Sequence, residues 1–162
     1  MRLILMRHTK SDWSLDEEDH ARALNPRGEA SARILGEWLR AENYLPDQVL
    51  CSTSARTRQT LSLLQLSAPV QFERELYLAS PELLLEILRG ATGRVVLMLG
   101  HNPGIAALAA MLASVYPSHI RFRDYPTGAT TIMDFDIPKW ADLVPGTGNA
   151  RDFVIPRELM SV

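Results

Sequence analysis

The feature of this chain that most restricts its fold is a recurring order of strand-like run, turn and helical segment. The clearest run, residues 94–99, is apolar without alternation, as is typical of a parallel strand covered on both faces. Three further short strands are predicted at residues 2–6, 48–51 and 70–73. Helices are predicted at about residues 26–42, 55–66, 81–91 and 104–114. Strands that alternate with helices predict an α/β fold of three layers, α/β/α, with a mostly parallel central sheet.

Three of these helices begin with the same local signal, a polar residue followed by proline. The polar side chain accepts a hydrogen bond from a free backbone N–H group, and proline already has the backbone angle of a first helical residue. The pairs are Asn25-Pro26, Ser80-Pro81 and Asn102-Pro103. Ser54 is predicted to cap the helix at 55–66 in a similar way.

The C-terminal part differs, because two predicted strands follow each other with no helix between them. They lie at residues 129–137 and 151–155, and the intervening residues 138–150 are predicted to form a loop. We expect these strands to close one edge of the sheet in antiparallel orientation. The length of 162 residues fits one domain, residues 1–162, with little room for a large cap over a site.

The charge of the chain is balanced, with 17 Lys and Arg against 19 Asp and Glu, and no basic segment stands out. A nucleic-acid or membrane-surface partner usually requires such a segment, so neither is expected. The single cysteine, Cys51, excludes an internal disulfide and fits a reducing compartment. The longest apolar run, residues 105–113, is about half a membrane span, and the apolar start is too short for a signal peptide. We therefore expect a soluble cytoplasmic protein.

Polar residues with catalytic potential follow three of the predicted strands. Arg7 and His8 follow the first strand, Ser52 and Arg56 follow the second, and His101 follows the fourth. Ligands of open α/β sheets gather at the carboxyl ends of the strands. Two arginines and two histidines are therefore expected to meet at one edge of the sheet.

This set of residues suits phosphate chemistry. Guanidinium groups bind phosphate oxygens bidentately and stay charged at any working pH, and a neutral histidine nitrogen can act as a nucleophile. The helix that begins at Pro103 presents free backbone N–H groups and the positive end of its dipole at the same edge. Phosphoryl transfer needs positioning and cancellation of charge on the oxygens. The residues therefore predict a phosphotransfer site without a metal ion or cofactor, and the chain has no H-x-x-x-H or paired-cysteine motif.

Three motifs resemble those of the histidine phosphatase (phosphoglycerate-mutase-like) superfamily. Residues 6–9, Met-Arg-His-Thr, resemble its RHG or RHA signature, and residues 52–60 resemble its S-x-x-x-R-[AT]-x-x-T segment. Residues 100–104, Gly-His-Asn-Pro-Gly, resemble its late histidine motif. The form of that motif, the short length and residues 22–28 look most like the SixA-type phosphohistidine phosphatase branch. The resemblance spans residue 2 to about 136 and implies a phosphoglycerate-mutase-like fold reduced to a minimal core.

Carried over to this chain, the resemblance implies that His8 accepts the phosphoryl group and that water then releases it, without metal. Arg7, Arg56 and His101 would hold the phosphate oxygens in this scheme. Four further residues are expected to contact the substrate: Thr9, Ser52, Asn102 and Glu75. The implied partner is a protein that carries phosphohistidine, or a small phosphorylated molecule.

Two positions depart from the family pattern. Thr9 stands where glycine or alanine is usual, which adds a hydroxyl beside the nucleophile. Mutases and sugar-phosphate phosphatases of the superfamily use a carboxylic acid as the general acid. In this chain the nearest candidates for that role are Glu73 and Glu75. Without a positioned acid, imidazole (conjugate-acid pKa about 6.5) leaves far more readily than an alkoxide, whose basicity is nearer the ~15.7 of water. We therefore expect a preference for P–N bonds or other good leaving groups.

Two other functions fit the same residues. One is a general small-molecule or sugar-phosphate phosphatase of the same superfamily. The other is a non-catalytic module that binds phosphorylated residues, although binding alone does not require the nucleophile His8. A cysteine-dependent phosphatase is disfavoured, because four residues separate Cys51 from Arg56 and the C-x5-R motif needs five.

Several polar residues have a simpler interpretation. Arg58, two residues after Arg56 on the helix, is expected to be structural. His20 and His119 are expected to be ordinary loop residues, and the acidic residues 16–19 a solvated loop that borders the mouth of the site.

Overall fold

The computed structural model describes residues 1–160, which form one six-stranded sheet with helices on both faces. The strands are β1 (Arg2–Arg7), β2 (Gln48–Ser52), β3 (Val70–Glu73), β4 (Val95–Gly100), β5 (Thr130–Asp134) and β6 (Asn149–Val154). The α-helices are α1 (Pro26–Ala41), α2 (Ala55–Leu64), α3 (Pro81–Arg89), α4 (Gly104–Leu112) and α5 (Pro156–Met160). Across this part of the chain, every helix is too short or too polar to cross a bilayer.

The strand order β3-β2-β4-β1-β5-β6 confirms a mostly parallel sheet with an antiparallel edge. β4 lies parallel between β1 and β2, so that Arg7 pairs with Gly100 and Cys51 pairs with Leu99. β5 runs antiparallel to β1, and β6 antiparallel to β5. The carboxyl ends of β1, β2 and β4 therefore meet at one edge of the sheet.

Alternate residues of the central strands bury into two apolar layers, one on each face. In β4, Val96 and Met98 pack with α3 and α4, whereas Leu97 and Leu99 pack with α1 and α2. The same alternation occurs in β1. Because both faces of β4 are covered, its sequence is apolar throughout, and the α/β/α prediction is confirmed.

Side-chain caps confirm the predicted starts of α1, α2 and α3, whereas the start predicted at Asn102-Pro103 is wrong in detail, because α4 begins at Gly104 and its N-cap residue, Pro103, has no side-chain cap. Asn25 Oδ1 accepts a hydrogen bond from Gly28 N at 2.8 Å, and Ser80 Oγ accepts one from Leu83 N at 3.2 Å. Ser54 Oγ accepts a longer bond, 3.4 Å, from the backbone N–H of Thr57.

The C-terminal elements differ in detail from the prediction. β5 ends at Asp134, three residues earlier than expected, because its neighbour β1 begins at Arg2, the partner of Asp134. The predicted loop after β5 contains a short 3-10 helix, Trp140–Asp142. The sequence does not predict α5, whose five residues are too few to show a helical period.

Candidate active site

The ends of β1 and β4 place two histidine rings side by side. His8 follows β1 directly, and its backbone N–H donates to the carbonyl oxygen of Gly100 at 3.1 Å. His101 follows Gly100, and the centroids of the two rings are 5.3 Å apart. Arg7 from β1 and Arg56 from the first turn of α2 line the same cleft of about 430 Å³. The structure thus brings together all four residues predicted to be catalytic.

The hydrogen bonds of His8 determine which ring nitrogen carries the proton. Nδ1 lies 2.6 Å from the carbonyl oxygen of Thr9, which can only accept, so Nδ1 is the donor. Nε2 lies 3.3 Å from Nε of Arg56, which can only donate, so Nε2 carries the lone pair. The free lone pair of His8 is therefore on the nitrogen that faces the arginine.

Burial keeps the His8 ring neutral. The side chain is nearly enclosed, and burial lowers the pKa of His8 to about 4, against the hydrogen bond to Thr9, which raises it. The positive charges of Arg56 and Arg7 lower this pKa further. At neutral pH the ring is therefore unprotonated at Nε2 and able to act as a nucleophile.

His101 is held by two serine hydroxyls, those of Ser52 and Ser54, which are not among the residues that line the cleft. Its Nε2 lies 2.8 Å from Ser52 Oγ and 3.4 Å from Ser54 Oγ, whereas its buried Nδ1 has no partner among residues 1–160. Burial lowers the pKa of His101 to about 3, and the neighbouring His8 and Arg56 add to the effect. Nδ1 has almost no accessible surface, so it is enclosed and unpaired rather than presented to the cleft.

The two arginines are oriented by backbone and carboxylate oxygens. Arg7 Nη1 donates to the carbonyl oxygen of Tyr125 at 3.1 Å. Burial and the nearby charge of Arg56 lower the pKa of Arg7, although it stays a cation at any working pH. Arg56 donates from Nη1 to the backbone carbonyl oxygen of Asp19 at 2.7 Å and from Nη2 to Asp19 Oδ2 at 3.1 Å. Two partly desolvated cations beside neutral rings form a strong anion site.

Sequence reasoning missed Asp19 and Tyr77 as parts of this site. The Tyr77 hydroxyl donates to Asp19 Oδ2, and its ring meets the His101 ring edge-on at 5.3 Å between centroids. The hydrogen bond from Tyr77, followed by that from Arg56, holds the pKa of Asp19 below its usual value. Asp19 therefore borders the site, as its closeness to His8 in sequence suggested, and it differs from the predicted solvated loop in that its carboxylate is bonded to Arg56 and Tyr77.

His20 and Arg58 lie at the margin of the site and have structural contacts. His20 Nε2 lies 2.9 Å from Thr53 Oγ1, and its ring packs edge-on against Tyr77. Arg58 donates to the carbonyl oxygen of Thr53 at 2.9 Å and stacks on Phe72, which is the structural role expected for it.

The residues expected to contact substrate occupy different places. Asn102 lines the cleft, but its Nδ2 donates to the carbonyl oxygens of Asp124 and Tyr125, and its Oδ1 accepts from the N–H of Ala106. Its polar atoms therefore hold the loop that ends at Tyr125 against the start of α4.

Thr9 and Ser52 are fully buried and do not line the cleft in the described part of the chain. The Thr9 hydroxyl lies 3.2 Å from the hydroxyl of Thr60, so it fills space behind the nucleophile. Ser52 contacts His101 and thus supports a ring that lines the cleft.

The structure does not bring Glu75 to the other site residues. Glu75 lies exposed in a short 3-10 helix, Arg74–Leu76, which is anchored by the buried Leu76. The next residue, Tyr77, turns toward His101 instead. As a correction to the sequence analysis, Glu75 is not among the residues that line the cleft.

Cys51 is unsuited to be a nucleophile. It is fully buried in β2, and burial raises the pKa of its thiol to about 12. Within residues 1–160, no three side chains of His, Cys, Asp or Glu lie close enough together to share a metal ion. The chemistry that the cleft offers is therefore that of a neutral imidazole nucleophile beside two guanidinium groups.

Comparison with known proteins points to the same chemistry. A family model described as the histidine phosphatase superfamily (branch 1) matches residues 3–77. An uncharacterized protein of Mycobacterium tuberculosis is 36% identical over 159 residues, which cover 94% of this chain and 100% of the relative.

Two similar solved structures carry a more specific name. A protein of Nakamurella multipartitia, assigned as the phosphohistidine phosphatase SixA, has a TM-score of 0.85 at 31% identity and covers 96% of this chain and 95% of its own. A protein of Agrobacterium tumefaciens with the same assignment has a TM-score of 0.79 at 28% identity and covers 96% of this chain and 98% of its own.

Proposed function

Because this chain belongs to the histidine phosphatase superfamily, we propose that it hydrolyses phosphohistidine carried on a protein, through a phosphohistidine intermediate on His8. The observation that carries the proposal is the fixed tautomer of His8, in which Nδ1 donates to Thr9 and Nε2 keeps a lone pair beside Arg56. A nucleophilic nitrogen next to a guanidinium group is what in-line attack on a phosphoryl group requires.

In the first step, the Nε2 lone pair of His8 forms a bond to phosphorus while the P–N bond of the substrate breaks. The substrate ring carries a proton on its other nitrogen, so the bonding electrons leave with it as neutral imidazole and no proton donor is needed in this step. Arg7 and Arg56 cancel the charge on the phosphoryl oxygens, and the His101 ring lines the cleft beside them. In the second step, water attacks phosphorus, the bond to Nε2 breaks, and orthophosphate and neutral His8 are released.

The carboxylates near the cleft support a substrate with a good leaving group. Asp19 accepts hydrogen bonds from Arg56 and Tyr77, which lower its pKa, so it is a poor proton donor. Asp124, which lines the cleft, is paired with Arg121 at 2.9 Å. A site without a ready acid favours imidazole over an alkoxide as the leaving group.

The form of the cleft supports a substrate borne on a protein. Two large apolar side chains at its margin, Trp13 and Leu78, are 71% and 56% exposed. Arg22 stacks on one face of the Trp13 ring at 3.7 Å, and most of the surface of both side chains is open to a folded partner that reaches the mouth. The likeness to structures assigned as SixA phosphatases agrees with this proposal.

The proposal is tested by comparing hydrolysis of a phosphohistidine peptide with that of sugar phosphates, with and without chelator. We expect chelator-insensitive activity on the peptide, and acid-labile phosphate on wild-type protein but not on His8→Ala. Arg56→Ala should fold and lose about 10²–10³ in rate, because it removes one charge-stabilising donor.

Two results would contradict the proposal. Equal rates on sugar phosphates, abolished by Glu75→Gln, would identify a general phosphatase with a carboxylic acid that moves into the cleft. Binding of the phosphopeptide without turnover or labelling of His8 would identify a binding module.

A further inference from the structure

A second, smaller pocket opens beside the cleft and is lined by cations. It has a volume of about 170 Å³. Its lining includes Lys10 from the segment after β1, Arg27 from α1, Arg121 from the loop before β5, and Arg157 from α5. Among the described residues, no acidic side chain lines it. In a chain of net charge −2, this is a local concentration of positive charge.

Three of these cations are available to a ligand. Arg121 is paired with Asp124 at 2.9 Å, which offsets part of its charge. Lys10, Arg27 and Arg157 are exposed and form no ion pair within residues 1–160. Like charges placed together without counter-charges favour an anion in the space between them.

The pocket adjoins the catalytic cleft. Lys10, Arg121, Pro126 and Thr127 line both. Lys10 is two residues after His8, and its carbonyl oxygen accepts the backbone N–H of Asn25 at 3.0 Å, at the start of α1. Arg27, in the first turn of α1, is thereby held next to Lys10. The basic side chains of the pocket therefore lie within a few residues of the cleft that holds His8.

We propose that this pocket, named here the basic pocket and defined by Lys10, Arg27, Arg121 and Arg157, binds an acidic side chain of the phosphoprotein substrate. This inference rests on the proposed function, because it concerns the same substrate. A volume of 170 Å³ holds a carboxylate with several waters, each of about 30 Å³. The exposure of Trp13 beside the cleft favours a protein over a small bisanion as the carrier of this group.

The experiment uses two peptides that carry a phosphonate analogue of phosphohistidine, flanked by glutamates in one and by glutamines in the other. Their Kd values are measured on the full chain, and the ratio of the two is the readout. We expect wild-type protein to bind the acidic peptide about 3- to 10-fold more tightly, as for a few exposed ion pairs. The ratio should fall toward one when ionic strength rises from ~0.01 M to ~1 M and the Debye length shortens from ~30 Å to ~3 Å.

The double variant Arg27→Gln/Arg157→Gln should reduce the ratio toward one. Arg33→Gln is the matched control, because Arg33 is exposed on the same helix α1 but lines neither pocket. It removes one of the two positive charges that the double variant removes, and it should leave the ratio as in wild type. A wild-type ratio near one, or a ratio that survives in the double variant, would overturn the inference.

Hydrolysis of the matching phosphohistidine peptides separates this inference from the proposed function. Binding with a charge-dependent ratio but no hydrolysis would overturn the function and support the basic pocket. Hydrolysis with equal Kd values would support the function and overturn the basic pocket. If neither peptide binds, or if a small bisphosphate competes better than the acidic peptide, the assignment to a phosphoprotein is wrong.

Discussion

At the scale of single residues, the reactivity of the cleft depends on what each polar atom is bonded to. A carbonyl oxygen sets the proton on His8 Nδ1, and Asp19 accepts one hydrogen bond from each terminal nitrogen of Arg56. Only Nε of Arg56 is then directed at His8, at 3.3 Å from its Nε2. Asp19 is in this way a positioning residue for the arginine that meets the nucleophile.

We predict that Asp19→Ala lowers kcat/KM on a phosphohistidine peptide roughly 10-fold, the equivalent of about 1.4 kcal/mol. The substitution removes the carboxylate that orients Arg56 and accepts from Tyr77. Asp16→Ala is the matched control, since Asp16 is an exposed acidic residue of the same segment. An increase in kcat/KM for Asp19→Ala would contradict positioning and show that Asp19 competes with phosphate for Arg56.

At the scale of elements, the start of α1 is fixed by a close approach of two backbones. A Cβ atom on Gly28 would lie 2.0 Å from the carbonyl oxygen of Lys10, so no side chain fits between α1 and the segment after His8. This contact holds the first turn of α1 against the segment that carries Lys10. Helix position and catalytic cleft are therefore linked through one glycine.

We predict that Gly28→Ala lowers the free energy of unfolding by about 1–3 kcal/mol, the usual cost of forcing extra volume into a packed site. Gly90→Ala is the comparison, because a Cβ there would be 3.4 Å from its nearest neighbour and should change stability little. Urea unfolding of both variants measures the difference. Equal stability of the two variants would show that α1 shifts without cost.

At the scale of the whole molecule, the two buried histidines link folding stability to pH. Burial lowers the pKa of His8 to about 4 and of His101 to about 3, whereas an unfolded histidine titrates near 6.5. At pH values between the folded pKa values and about 6.5, the unfolded chain binds more protons than the folded protein. Stability contributed by the neutral rings is therefore complete above about pH 6.5 and is lost as the pH falls toward 4.

We predict that the free energy of unfolding of the wild type falls by about 3 kcal/mol between pH 6.5 and pH 5, at about 1.5 kcal/mol per histidine. His8→Asn should lose about half as much over the same range. The carboxylates with lowered pKa, such as Asp19 and Asp134, titrate below this window and do not contribute there. Urea titrations at several pH values test this, and equal pH dependence of the two proteins would contradict it.

Local pattern was enough to predict the layers of this fold and the edge at which chemistry gathers. Apolar runs, polar-proline starts and strand-helix alternation are interactions between near neighbours in sequence, and they predicted β1 to β4 and α1 to α4. Since parallel strands end at one edge, the same pattern brought Arg7, His8, Arg56 and His101 together.

Contacts between segments that are distant in sequence determined the features of the site that local pattern did not predict. Asp19 contacts Arg56 across 37 residues of sequence, and Lys10 and Arg157 line the same basic pocket only because α5 follows β6 back to this end of the sheet. The tautomer of His8 and the place of Glu75 outside the cleft likewise follow from packing. None of these contacts has a period or a motif, because their residues are brought together by the folded sheet rather than by their neighbours along the chain.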